Sequence, residues 1–120
     1  MGTFTQKIRI FHATIPDCVI EVDALVDTGA FYTWIPREQL LPLGYAPAGR
    51  RPFIIATGQI VERDLCEIRV ALNGDSCTTK CVFGDPGSTP LLGAYTLEGF
   101  ALGVDPVRKA LIPLPALPAM

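Results

Sequence analysis

The chain has a single histidine, His12, and that scarcity removes several chemistries at once. Ser-His-Asp and Cys-His nucleophilic arrangements both need a histidine in a recognisable setting, and His12 stands far from any such signature, so it takes no assigned role. One histidine and four cysteines scattered along the chain make no recognisable metal-ligand set, and no metal or other cofactor is expected. No glycine-rich loop of the phosphate-binding kind is present. No apolar run approaches the roughly 20 residues of a membrane span, so no membrane partner is expected. Charged residues make up only 18% of the chain and the formal net charge is −2, with no basic stripe, which argues against nucleic acid as a partner.

The cysteines are Cys18, Cys66, Cys77 and Cys81. Cys77 and Cys81 lie four residues apart in a strand-like stretch, roughly 13 Å along an extended chain, and a disulfide needs Cα atoms within about 7 Å. Buried, unreacted thiols are therefore expected. The segment Met1–Gln6 has neither the charged-then-apolar layout of a signal peptide nor the Ser or Thr that a myristoylation site would carry where Gln6 stands. A cytoplasmic location is the default expectation.

What is there is a globular composition, with 49% apolar residues in 120, enough for one small domain and too few for two. Residues 1–113 are assigned to that domain and 114–120 to a Pro-rich tail, because Pro113, Pro115 and Pro118 cannot extend a regular ladder.

The pattern is mostly of strands. Thr3–His12 alternates, with Phe4, Ile8 and Ile10 on one face and Lys7 and Arg9 on the other. Ile15-Pro16-Asp17 reads as a turn, and Cys18–Val26 as a strand that becomes wholly apolar at Ala24-Leu25-Val26 and so runs into the core. Phe31–Ile35 is a third strand, and Pro36–Leu41 forms a helical turn or two ended by Pro42 and Gly44. Gly44–Arg51 reads as a loop. Pro52–Ala56 and Gln59–Leu72 are two arms joined at Thr57-Gly58, and Asn73-Gly74 is a strong hairpin turn before Ser76–Phe83. Asp85–Ser88 is a loop, Leu91-Leu92 a short apolar pair, Tyr95–Ala101 a helix, and Leu102–Val104 with Ala110–Pro113 a last hairpin across Asp105-Pro106.

One residue in this pattern needs a reason. Asp27 ends the buried run Leu25-Val26, and a lone buried carboxylate costs several kcal/mol unless it is paired or hydrogen-bonded. Gly29 permits a sharp turn that brings backbone amides to the carboxylate, and Thr28 adds a hydroxyl. An Asp-Thr-Gly word is by itself good turn chemistry; its surroundings decide the reading.

Those surroundings resemble the retropepsin-like aspartic proteases, the retroviral-type single-domain family. The apolar run into Asp27-Thr28-Gly29-Ala30 resembles that family's catalytic loop, and Phe31–Ile35 the strand returning from it. The hairpin tip, with Ile55, Ala56, Thr57, Gly58 and Gln59, sits where the family carries its substrate-covering flap. Leu91-Leu92-Gly93, followed by a helix, resembles the apolar-apolar-Gly signature that passes beneath the catalytic loop. Together these span residues 4 to 112. Phe31-Tyr32 and Ala94 stand where retroviral members often carry acidic residues and an Arg, and the flap has one glycine, Gly58, where retroviral flaps have several.

The resemblance implies an all-β closed barrel with one short C-terminal helix, working as a homodimer on a peptide or protein substrate. Asp27 is the implied catalytic residue, Thr28, Gly29 and Ala30 support its loop, and residues 55–59 bind substrate. The route uses two carboxylates sharing one proton, and a chain with one Asp-Thr-Gly must borrow its second Asp27 from a second copy. Ala30 has no hydroxyl to donate to the carboxylate, so the expected pH optimum is acidic but milder than that of an Ala30→Ser variant. Two other readings stand beside this one: a catalytically silent or single-partner-processing module that keeps the fold for dimerisation or peptide binding, and a thiol or metal protein built on the cysteines.

Overall fold

The computed structural model describes residues 3–114. It contains nine strands, β1 (Thr5–Phe11), β2 (Val19–Val26), β3 (Thr33–Pro36), β4 (Gly49–Ile54), β5 (Ile60–Leu72), β6 (Asp75–Gly84), β7 (Leu91–Leu92), β8 (Leu102–Asp105) and β9 (Ala110–Pro113), with a helical turn α1 (Arg37–Leu40) and a short helix α2 (Ala94–Gly99). Seven strands form one sheet in the order β1-β2-β7-β3-β6-β5-β4. A further antiparallel pairing of β1 with β5, at Arg9↔Ala71 and Ile10↔Val70, closes that sheet into a barrel.

The period-2 pattern puts Ile8 and Ile10 of β1 and Val22, Ala24 and Val26 of β2 inside, while Lys7 pairs with Asp23 and Arg9 with Glu21 on the outer face. Ile35, Ile68, Val70, Phe83 and Leu92 complete the interior, each at most 2% exposed. Asn73 and Gly74, both at positive φ, make the tight turn joining β5 to β6, a conformation that Asn tolerates and that Gly, with no Cβ, adopts freely. The four cysteines are free thiols, and Cys66 of β5 lies directly opposite Cys81 of β6.

Several boundaries differ from the sequence reading, and three of the shifts have a clear local cause. β4 begins at Gly49, inside the expected 44–51 loop, because Gly49–Arg51 pair with Leu65–Arg63 while exposing their side chains; a fully solvated arm leaves no apolar alternation to read. The strand after Asp27 begins at Thr33, not Phe31, because the Phe31 carbonyl instead accepts the Tyr95 N–H. The helix runs over Ala94–Gly99 rather than Tyr95–Ala101, since Ala101 takes a left-handed φ of 55° and turns the chain into β8. Of the expected 114–120 tail only Leu114 belongs to the described residues, and its N–H donates to the Ala101 carbonyl.

β2 and β3 are consecutive in sequence but not neighbours in the sheet. β7 enters between them, parallel to β2 (Leu25↔Leu91, Val26↔Leu92) and antiparallel to β3 (Trp34↔Leu91). The six residues 27–32 therefore arch over a crossing strand, and this crossing positions the candidate site.

Candidate active site

Asp27 stands at the C-terminal end of β2, where the chain leaves the sheet. Its N–H donates to the Leu92 carbonyl at 3.1 Å, so its backbone is still held by β7. Its Oδ1 accepts the Gly29 N–H at 2.9 Å. A Cβ at Gly29 would lie 3.1 Å from that same oxygen, so a side chain there would require the carboxylate to shift by a few tenths of an ångström. The Ala30 N–H closes the turn on the Asp27 carbonyl, while Thr28 and Gly29 stand exposed at the apex. Among the described residues no Lys or Arg forms an ion pair with Asp27.

The outgoing side of the arch is fastened to α2. The carbonyls of Ala30 and Phe31 accept the N–H groups of Ala94 and Tyr95 at 2.9 and 2.8 Å. Gly93 makes this possible: a Cβ there would fall 2.4 Å from the Tyr32 carbonyl oxygen and 2.9 Å from that of Ala30. Leu91, Leu92 and Gly93 thus lie directly under the loop, with Leu92 wholly buried.

Below the crossing lies a group of residues that sequence reasoning missed. Thr33, Thr79 and Thr96 are all buried. The Thr96 hydroxyl is 2.6 Å from that of Thr33 and 2.9 Å from that of Thr79, and Thr33 Oγ1 also accepts the Gly93 N–H at 3.1 Å. Three threonines from β3, β6 and α2 thus form one hydrogen-bonded string that ends on the strand crossing. A threonine inside the apolar run Phe31–Ile35 was the available signal, but threonine also favours strands and reads there as a simple strand former.

The remaining predicted residues form the tip of the β4–β5 hairpin. The Ile55 N–H donates to the Gln59 carbonyl and the Gly58 N–H to the Ile55 carbonyl, with Gly58 at φ 85°. Ala56, Thr57, Gly58 and Gln59 are exposed, and the flanking Ile54 and Ile60 are 76% and 66% exposed. His12 caps a turn elsewhere: its Nδ1 accepts the N–H groups of Thr14 and Ile15. Burial drives the thiol of Cys66 up to about 11 and that of Cys81 well above its usual range, so neither is a thiolate at neutral pH. Among the described residues no three His, Cys, Asp or Glu side chains gather as metal ligands, and no helix is long and apolar enough to cross a membrane.

A closed barrel in which an Asp-Thr-Gly arch is crossed by an apolar-apolar-Gly strand and followed by one short helix is the retropepsin-like acid-protease fold. The solution structure of the simian foamy virus (mac) protease shares it with a TM-score of 0.56 and 17% sequence identity, over 80% of this chain and 93% of that one. No family model matches the sequence, and neither does any curated protein.

Proposed function

We propose that this chain is an aspartic endopeptidase that hydrolyses peptide bonds with a water activated between two Asp27 carboxylates, one from each copy of a homodimer. The observation that carries this reading is the state of Asp27. Its carboxylate is held in place by the Gly29 amide, carries no counter-charge from the described residues, and sits on an arch whose fixed parts lie beneath it. The aspartic-protease likeness of the fold supports the same reading.

In this mechanism one carboxylate is ionised and takes a proton from the water as it attacks the peptide carbonyl. The other is protonated and donates to the developing oxyanion, giving a tetrahedral diol; on collapse the first carboxyl gives its newly gained proton to the leaving amine and the second takes one back from a diol hydroxyl. Thr28, exposed at the apex, braces the two arches across the dimer axis. The flap residues Ile55, Ala56, Thr57, Gly58 and Gln59, with the apolar side chains of Ile54 and Ile60, close over an extended peptide and shield the reacting centre from water. A surface cavity of about 570 Å³, lined by His12, Tyr45, Arg69, Ser76 and Thr78 among others, includes neither the arch nor the flap. In this reading the substrate cleft is completed only by the second copy.

The test is incubation of the purified protein with a mixed peptide library from acidic to neutral pH, beside an Asp27→Asn control. Cleavage that disappears in the control is the expected result, and cleavage that survives it contradicts the proposal. The single glycine of the flap favours one second reading, a silent or single-partner-processing module. That reading predicts a dimer that cuts no library peptide and binds no hydroxyl-bearing transition-state mimic.

A further inference from the structure

The flap hairpin is a long lever with few supports. β5 pairs with β6 only from Leu65 onward, and β4 pairs with β5 only up to Leu65. Residues Arg50–Asp64 therefore project from the barrel as a two-stranded arm of about five residues a side, roughly 16 Å. A two-stranded ribbon of this length is marginally stable by itself, so its position depends on what ties its base.

Three polar side-chain ties reach it from the body. Asp64 meets Arg37 of α1 at 3.6 Å, and Arg63 meets Asp85 at 3.0 Å. The third involves Arg51, which lies opposite Arg63 across the hairpin. Two like charges in that position repel unless each finds its own acceptor. Arg63 has Asp85, whereas Arg51 donates from Nη1 to the Tyr32 hydroxyl at 2.8 Å and lies 5.9 Å from the centre of the Tyr32 ring. Phe53 of the same arm packs edge-on against Tyr32 and Trp34, with ring centres 6.2 and 5.2 Å away.

Tyr32 is the junction between two systems. Its carbonyl oxygen is the atom that leaves room only for glycine at 93, within the crossing that also holds the Asp27 amide. Its hydroxyl, at the other end of the side chain, is held by the flap arm. We infer that Arg51 and Tyr32 are positioning residues: they tie the flap arm to the frame of Asp27, so that opening the flap breaks the Arg51–Tyr32 contact and closing it remakes the contact. The functional side of this inference rests on the reading of residues 54–60 as the cover of a peptide site.

The test is hydrogen exchange of the flap segment 53–61 in Tyr32→Phe, which removes only the hydroxyl. A lost hydrogen bond of ordinary net strength predicts about threefold to tenfold faster exchange there, with β1, β2 and the urea midpoint unchanged. Arg51→Ala, which also removes the contact with the Tyr32 ring, is expected to speed exchange at least as much, the double variant no more than Arg51→Ala alone, and Arg51→Lys to restore most of the protection. Acrylamide quenching of Trp34, the only tryptophan of the chain, is expected to rise in Tyr32→Phe as Phe53 moves off it. If a peptide is cleaved, Tyr32→Phe raises KM more than it lowers kcat. Flap exchange and Trp34 quenching that do not change in Tyr32→Phe overturn the tie, even in an active enzyme, and so does additivity in the double variant. Faster flap exchange in a protein that cuts no peptide supports the tie and counts against the peptidase reading alone.

Discussion

The floor beneath Asp27 and the hairpin proposed to cover it are built on opposite principles. In the floor, the crossing is hydrogen-bonded to the arch at the Asp27 N–H and at the Ala30 and Phe31 carbonyls, three threonine hydroxyls bond one another, and Gly93 leaves no space for even a methyl group. The hairpin tip is held by two backbone turn hydrogen bonds and a long one from the Gln59 N–H to the Thr57 hydroxyl, and presents isoleucines to solvent. A reacting carboxylate needs a fixed position, and that is what a fully satisfied, close-packed network provides. A cover must open and close, and low local stability is the physical condition for it. One small barrel thus carries both a densely bonded and a sparsely bonded region, which meet at Tyr32.

Several experiments would break or sharpen that contrast. The largest effect is expected from Gly93→Ala, which drives a methyl group into the Tyr32 carbonyl and forces the crossing apart, a loss of about 3 kcal/mol or more. A urea midpoint close to that of the parent chain would mean the floor is softer than its packing implies. Thr96→Val comes next. It keeps the volume but leaves the hydroxyls of Thr33 and Thr79 without their shared partner, at a cost of about 1–3 kcal/mol in the same measurement.

A third test is alkaline titration. Burial raises the Cys66 thiol from its ordinary 9.0 to about 11, and burial raises Cys81 and Cys77 in the same direction. Below about pH 9 folded and unfolded chains both hold these protons and the contribution is complete. Between about 9 and 11 the unfolded chain releases the Cys66 proton first, so stability falls, and the decline from this residue levels off above about 11. Urea midpoints measured under reducing conditions across that window should fall, and the slope should be shallower in Cys66→Ala. The smallest effect on stability is expected in the hairpin. Ile54→Ser and Ile60→Ser should stay within about 0.5 kcal/mol of the parent, since both side chains already face water, while peptide KM rises. A large loss of stability there would make the hairpin part of the core rather than a cover.

What the sequence revealed follows from how local each signal is. The alternation read over residues 3–12 and 18–26 and the Asn73-Gly74 turn are encoded within a few neighbours, and the strands at 5–11 and 19–26 and the β5–β6 turn follow them closely. The closure of β1 on β5, the meeting of Cys66 with Cys81 and the string of Thr33, Thr79 and Thr96 join residues far apart in the chain, and nothing local marks them. The polar start of β4 is the opposite case: its strand character comes from the ladder alone, because neither face of Gly49–Arg51 is buried. The candidate site was legible at its apex, where glycine and carboxylate chemistry are explicit, and hidden in its support, where ordinary threonines do the holding.

The central claim is that one Asp27 is only half of a site. Co-refolded mixtures of the parent chain with Asp27→Asn, assayed on a cleaved peptide, test it most directly. If both copies must contribute a carboxylate, activity falls as the square of the parent fraction, to about one quarter in an equimolar mixture. Activity that falls in simple proportion, to about one half, would mean that each chain acts alone and would contradict the account.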